Sequence, residues 1–328
     1  MDGPDPAPDT EARRARRAAH RRRVRRRRLL AVCAVVALLI AVGAALAGVM
    51  SRKGGGSTAS AAAPATATTD RAAATAPAAT TAPASTTAPA TTAPEPGDGG
   101  PTPAEQVAAV EAVRAVGVPL YRTPGNAGKV VALTFDDGPG PYSGKTVQTL
   151  EHYGMRATFF LCGRSVVRYP DDPAVETSVA AMGDHTWNHL ELPTLGTAQM
   201  REEIASAQQI IQKRSGEQVR LFRPPYGART PQIDRTASDL GMITVLWNVE
   251  SGDSAGAGYA EMLSTIEANI APGDIILFHE NRGQTQMVIN RLLPWMRKNG
   301  WRSVSIPELL AMDPPSPEFL RREAGRFQ

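Results

Sequence analysis

Cysteine is almost absent from the 328 residues: Cys33 and Cys162 are the only two. So few thiols, so far apart, exclude a disulfide framework and a cysteine-rich metal site, and Cys162 is expected to be a small buried hydrophobe. Acidic residues are scarce at one end. Residues 1–53 hold 13 of the 36 Lys/Arg but only 4 of the 32 Asp/Glu, which leaves 23 basic and 28 acidic side chains, net −5, in the rest of the chain. The basic pI of about 9.3 is therefore a property of the tail. A mildly acidic remainder argues against a nucleic-acid-binding domain.

Charge is missing altogether from residues 29–50, "LLAVCAVVALLIAVGAALAGVM", a run of 22. At ~1.5 Å per residue it is long enough to cross a ~30 Å hydrocarbon layer. Arginines from Arg13 to Arg28 precede it, and only Arg52 and Lys53 follow closely. By the positive-inside rule, residues 1–28 form a cytoplasmic tail, residues 29–50 a single-pass membrane anchor, and everything downstream is extracytoplasmic. The alternative is a signal peptide cleaved near Ala47, in "ALAG", with secretion of the remainder. Residues 51–102 lack apolar periodicity, and Ala, Thr and Pro dominate them. Such a composition cannot bury enough surface to offset the entropy of ordering, so a disordered, semi-extended linker is expected.

A folded domain is expected over residues 103–328. Apolar runs of strand length ("KVVALTF", "ATFFL", "VRLFR", "MITVLWN", "DIILF", "RSVSI", and one leading into His185) alternate with helix-length stretches. The latter include "GKTVQTLEHYG", "TAQMREEIASAQQIIQKRSG", "YAEMLSTIEANIA" and "QTQMVINRLLPWMRKNG". Alternation implies parallel strands joined by crossovers, an α/β fold. Chemistry in such folds gathers where strands end. Polar groups do collect there: Asp136-Asp137-Gly138-Pro139, Arg223-Pro224-Pro225-Tyr226-Gly227, Glu250-Ser251-Gly252-Asp253 and His279-Glu280.

Of five histidines, His185 and His189 in "HTWNH" stand four apart. A zinc-protease pair would carry a Glu after the first His, where Thr186 stands, so a metal site here needs its third ligand and its base from elsewhere. Taken alone, the pair fits structural or surface histidines better than a chelate.

In order and spacing, "LTFDDGP", "HTWNH", "RPPYG", the Asp253 region and "IILFHE" resemble the five motifs of the polysaccharide deacetylases. These are carbohydrate esterases of family four, related to rhizobial chitooligosaccharide deacetylase. "ATFFLCG" resembles the family as well, and the likeness spans about residues 118–312. The resemblance implies a distorted parallel (β/α) barrel of about seven strands with a divalent metal in its mouth. It implies Asp137, His185 and His189 as metal ligands and Asp136 as the catalytic base. Arg223 would position Asp136 and hold it ionised, and Tyr226 would offer a backbone N–H to the oxyanion. His279 would protonate the departing amine, Asp253 would orient His279, and Leu277 would line the acetyl pocket or belong to the core.

Adjacent aspartates suit this division, because one carboxylate binds the ion while the other stays free to take a proton from water. Two imidazoles and a carboxylate suit zinc, accommodate cobalt and other divalent ions, and leave positions open for water and substrate. Three departures from the family pattern stand out. Glu250, Asp253 and Ser254 replace the fourth motif's Asp and Asp-Trp, Glu280 replaces the Asp after the fifth-motif histidine, and "AAMGD" replaces Gly-His-Glu before His185. The expected activity is metal-dependent removal of N-acetyl groups from an extracytoplasmic glycan, peptidoglycan or chitooligosaccharide, by a membrane-tethered monomer with no nucleic-acid partner. The alternatives are an O-acetyl polysaccharide esterase and a non-catalytic glycan-binding protein on the same scaffold.

Overall fold

A computed structural model describes residues 100–326. The expected tail, membrane anchor and nearly all of the linker lie outside the described residues, among which no helix is long and apolar enough to cross a membrane. Near the start of the described residues, Thr102 caps helix α1 (Pro103–Val116) in a reciprocal capping box with Glu105.

Eight strands occur among the described residues: β1 (Val130–Gly138), β2 (Ala157–Leu161), β3 (Ala180–Asp184), β4 (Leu221–Phe222), β5 (Ile243–Thr244), β6 (Val249–Glu250), β7 (Ile275–His279) and β8 (Arg302–Ser303). Seven form one parallel sheet in the order β5-β4-β3-β2-β1-β7-β6, while β8 pairs with the start of β1. Residues 120–122 approach the sheet's open side, where Leu120 bridges Val245 and Arg122 bridges Asp274. The result is a parallel seven-strand α/β half-barrel, which fits the expected distorted (β/α) barrel of about seven strands. Two details differ from the sequence expectation. The two-residue β6 was not foreseen, and β4, β5 and β8 are each shorter than their apolar runs. Apolar character in a parallel sheet reports burial on both faces, which outlasts the hydrogen-bonded ladder.

Alternation along β1 explains where the chemistry lies. Val131, Leu133 and Phe135 enter one apolar cluster, between sheet and helices, while Val130 and Ala132 enter another with Phe160, Leu221 and Ile275. With a period of two, Thr134 and Asp136 share the face of Val130 and Ala132, so Asp136 is delivered into the barrel. The four predicted helical stretches form as α2 (Ser143–Tyr153), α5 (Thr197–Ser215), α7 (Tyr259–Asn269) and α8 (Gly283–Lys298), with α3 (Gly163–Arg168), α4 (Asp172–Glu176) and α6 (Pro231–Asp239) as shorter additions. In α5, Met200, Ile204, Ala207 and Ile211 are buried along one face, and a left-handed Gly216 ends the helix after Lys213 and Arg214. Met200, Ile204 and Ile211 each stabilise the fold by about 1.5–3 kcal/mol on burial.

Gly183 on β3 shows how tightly the barrel interior is packed. A Cβ there would stand 2.4 Å from Cδ1 of Phe160, whose ring lies 4.0 Å beneath the Arg223 guanidinium. Gly183→Ala is expected to destabilise the protein by about 1–3 kcal/mol through overpacking. An unchanged denaturant midpoint would show that Phe160 has room to move.

Candidate active site

Two adjacent residues of a regular strand point to opposite faces, so Asp136 and Asp137 should diverge. They converge because β1 breaks its register with β2 between Asp136 and Gly138, and Asp137 adopts a left-handed φ of 72°. A bulge of this kind re-aims a side chain. Asp137 Oδ1 then lies 3.6 Å from His185 Nε2 and 3.2 Å from His189 Nε2, and Asp136 Oδ2 lies 3.8 Å from His185 Nε2.

The "HTWNH" segment is a loop following β3, not a helix. Thr186 and His189 both carry left-handed backbones, with φ of 67° and 60°, each costing about 1–2 kcal/mol unless the surroundings enforce it. Local hydrogen bonds do so: Asp184 Oδ1 accepts from the Thr186 N–H at 2.6 Å, and Thr186 Oγ1 accepts from the His189 N–H at 3.1 Å. His185 Nδ1 lies 2.7 Å from the Arg223 carbonyl. A carbonyl only accepts, so Nδ1 carries the proton and the Nε2 lone pair faces Asp137. Burial pushes His185 down to about 3, which keeps the imidazole neutral and fit to coordinate.

The donor set fits a divalent ion. Asp137 Oδ1 is buried yet has no hydrogen-bond partner, and the ligand atoms of Asp137, His185 and His189 all lie within 4.8 Å of one another. An orphaned carboxylate oxygen between two imidazole nitrogens is costly unless a cation joins them.

Arg223, fully buried after β4, organises the floor. Its Nη1 donates to Asp136 Oδ1 at 2.6 Å and to Thr134 Oγ1 at 2.8 Å, while Nε and Nη2 donate to the carbonyls of Val245 and Leu246, both at 3.2 Å. Arg223 opposes the effect of burial on Asp136, by charge and by hydrogen bond. Burial raises Asp136 above the ordinary carboxylate range, and Arg223 offsets only part of that rise. A raised carboxylate is a better proton acceptor once ionised.

On the adjacent strand, β7 places His279 beside Asp136 in register. Asp253 Oδ1 meets His279 Nδ1 at 2.8 Å, and its Oδ2 accepts from the His279 N–H at 2.7 Å and from Thr285 Oγ1 at 2.8 Å. Burial alone would lower His279, but the hydrogen bond and charge of Asp253 outweigh it and raise the imidazole. Burial would likewise raise Asp253, and the His279 and Thr285 contacts outweigh it in the opposite sense.

Tyr226 has a left-handed φ of 62° and is 65% exposed, its ring edge-on to His189 with centroids 4.7 Å apart. The site is thus graded in depth, with Asp136, His185 and Arg223 buried and Tyr226 at the rim. Leu277 is buried, as is Cys162. Sequence reasoning missed Thr134, Thr285 and the role of Glu280. The last is buried against Ser143 Oγ, which also accepts from the Gly140 N–H at 2.8 Å, so Glu280 ties β7 to the loop after β1. Burial raises Glu280 to about 7. Glu250 lies partly buried on β6.

Comparison with known proteins agrees with this geometry. The family model for polysaccharide deacetylase matches residues 124–245. The peptidoglycan-N-acetylglucosamine deacetylase of Bacillus cereus is 33% identical over 201 residues, covering 59% of this chain and 93% of the relative. The chitooligosaccharide deacetylase of a Bradyrhizobium species is 29% identical over 216 residues, covering 58% and 98%. Among solved structures, a family four carbohydrate esterase pseudoenzyme from Bacillus anthracis superposes with a TM-score of 0.55 at 27% identity, covering 58% of this chain and 68% of that one. The chain belongs to the polysaccharide deacetylase family and is an N-deacetylase of the hydrolase class.

Proposed function

We propose that the protein removes N-acetyl groups from an extracytoplasmic glycan, peptidoglycan in the first place, using a divalent ion held by Asp137, His185 and His189. The observation that carries this reading is the orphaned Asp137 Oδ1 between two imidazole nitrogens, with a second carboxylate, Asp136, beside it and engaged by Arg223. Zinc suits the donors best, and cobalt is the natural substitute.

A divalent ion held there would supply Lewis acidity, to polarise the acetamide carbonyl and ease loss of a proton from water. Asp136, held by Arg223, takes that proton as water attacks the carbonyl carbon. The backbone N–H of Tyr226 would donate to the developing oxyanion. His279 then gives its proton to the sugar nitrogen as the C–N bond breaks, releasing acetate and a free amine. Asp253 keeps His279 oriented and protonated for this step. The same groups at the same positions weigh against a non-catalytic scaffold.

The names of the Bacillus and Bradyrhizobium relatives support N-acetylated glycans as the substrate class. A membrane anchor over residues 29–50 and a linker over residues 51–102 would suit a monomer working on polymer beside the membrane. Membrane fractionation and N-terminal sequencing test this: a mature chain beginning near Gly48 would show cleavage instead.

The full chain should release acetate from peptidoglycan or chitooligosaccharide, lose the activity to a chelator, and regain it with zinc or cobalt. Undiminished turnover in protein shown metal-free by elemental analysis would contradict the reading. Release from acetylated xylan alone would favour an O-acetyl esterase.

A further inference from the structure

The loop that carries His185 and His189 is held from outside by a residue that touches neither histidine. Glu203 lies on α5, 6% exposed. Its Oε2 accepts from the Asn188 backbone N–H at 2.8 Å, its Oε1 accepts from Asn188 Nδ2 at 2.7 Å, and its own carbonyl accepts from the Trp187 N–H at 2.8 Å. Two consecutive residues between the histidines are therefore pinned to one helical residue. The rest of the loop is pinned elsewhere. The carbonyls of Thr186 and Trp187 accept from the Gly163 and Arg164 N–H at 3.0 and 3.1 Å, and the His185 N–H donates to Leu161 O at 2.9 Å.

No salt bridge engages Glu203 among the described residues, so a buried carboxylate is spent on neutral N–H donors. An apolar side chain of the same length would pack there more cheaply, since burying an ionised group is unfavourable unless its hydrogen bonds are needed. The bonds go to the residue preceding His189, whose left-handed backbone aims its ring at Asp137.

We infer that Glu203 is a positioning residue for the metal centre, fixing the Trp187-Asn188 segment so that His189 Nε2 meets Asp137 and His185. This rests on the proposed metal site, and groups that orient ligands in this indirect way typically change metal affinity by about 10–100-fold when lost.

The test is zinc affinity of the full chain, by competition with a chromophoric chelator, alongside thermal unfolding of the metal-free protein. Glu203→Met keeps the bulk and removes both acceptors. Zinc affinity should fall by about 10–100-fold, while the metal-free melting temperature holds or rises. Glu203→Gln can still accept from the Asn188 N–H and, with the Asn188 amide turned over, donate to its oxygen, so affinity should stay within a few-fold of wild type. Wild-type zinc affinity in Glu203→Met, or an equal loss in the Met and Gln variants, would overturn the inference. So would a lowered melting temperature with unchanged affinity, which marks a purely structural role. Should Glu203→Met not fold, Asn188→Asp at its exposed position carries the test. It should weaken zinc binding beside Glu203 but not beside Glu203→Gln, whose amide can donate to the new carboxylate; equal effects in both backgrounds would overturn the inference. A wild-type chain that binds no zinc would refute the metal site itself, a separate outcome.

Discussion

Asp136→Asn is expected to retain the ion and lose turnover by at least about 10²–10⁴-fold, the usual worth of a general base. Asn preserves the shape and can still accept from Arg223, but it cannot take a proton. His189→Ala should lose ion and rate together, because it removes one of three donors. The Asn variant also leaves the buried Arg223 without its charge partner. Breaking a buried pair outright costs about 3–5 kcal/mol, and the surviving bonds from Arg223 to Thr134, Val245 and Leu246 should hold the loss below that range. Asn is as good a turn former as Asp, so near-normal turnover in a metal-loaded Asp136→Asn protein would mean that Asp136 merely shapes the turn.

The second large effect belongs to His279. His279→Ala should cost about 10²–10⁴-fold in turnover, since an amine anion leaves poorly without a proton donor. Its pH behaviour follows from the Asp253 contact. Asp253 raises His279 above its ordinary value, so the acid form persists further toward alkaline pH and the rate falls as pH rises through the raised value. Asp253→Asn removes the raising influence, so the alkaline limb of kcat should move to lower pH. An unmoved limb would show that His279 is not the proton donor. The same pair affects stability. The raised His279 contributes stability that is present below its unfolded value and fades as pH rises through the folded one. The lowered Asp253 contributes stability that is present above its unfolded value and fades as pH falls through the folded one. The pair therefore stabilises the fold most between the two transitions.

Much of the fold was legible in the sequence because buried parallel strands write continuous apolar runs. "ATFFL" coincides with β2, and "TAQMREEIASAQQIIQKRSG" with α5 and its Gly216 cap. The residues at strand ends were legible too, since a polar group after an apolar run has few structural uses. The bulge at Asp137 was not, because nothing in "TFDDGP" distinguishes a left-handed aspartate from an extended one. Glu203 was hidden for a different reason. On α5 it reads as one more acidic residue in "MREEIASAQ", and only the packing of the helix against the loop, 15 residues away in sequence, buries it. The burial of Asp136 was not legible either, because a sequence shows Arg223 but not the desolvation that its charge opposes.

Diffraction from the zinc-loaded protein at wavelengths on either side of the zinc edge would test the central claim most directly. The expected anomalous map shows one ion bonded to Asp137 Oδ1, His185 Nε2 and His189 Nε2, with Asp136 outside the coordination sphere and still bonded to Arg223. An ion ligated by Asp136, or an active protein with no ion between His185 and His189, would contradict it.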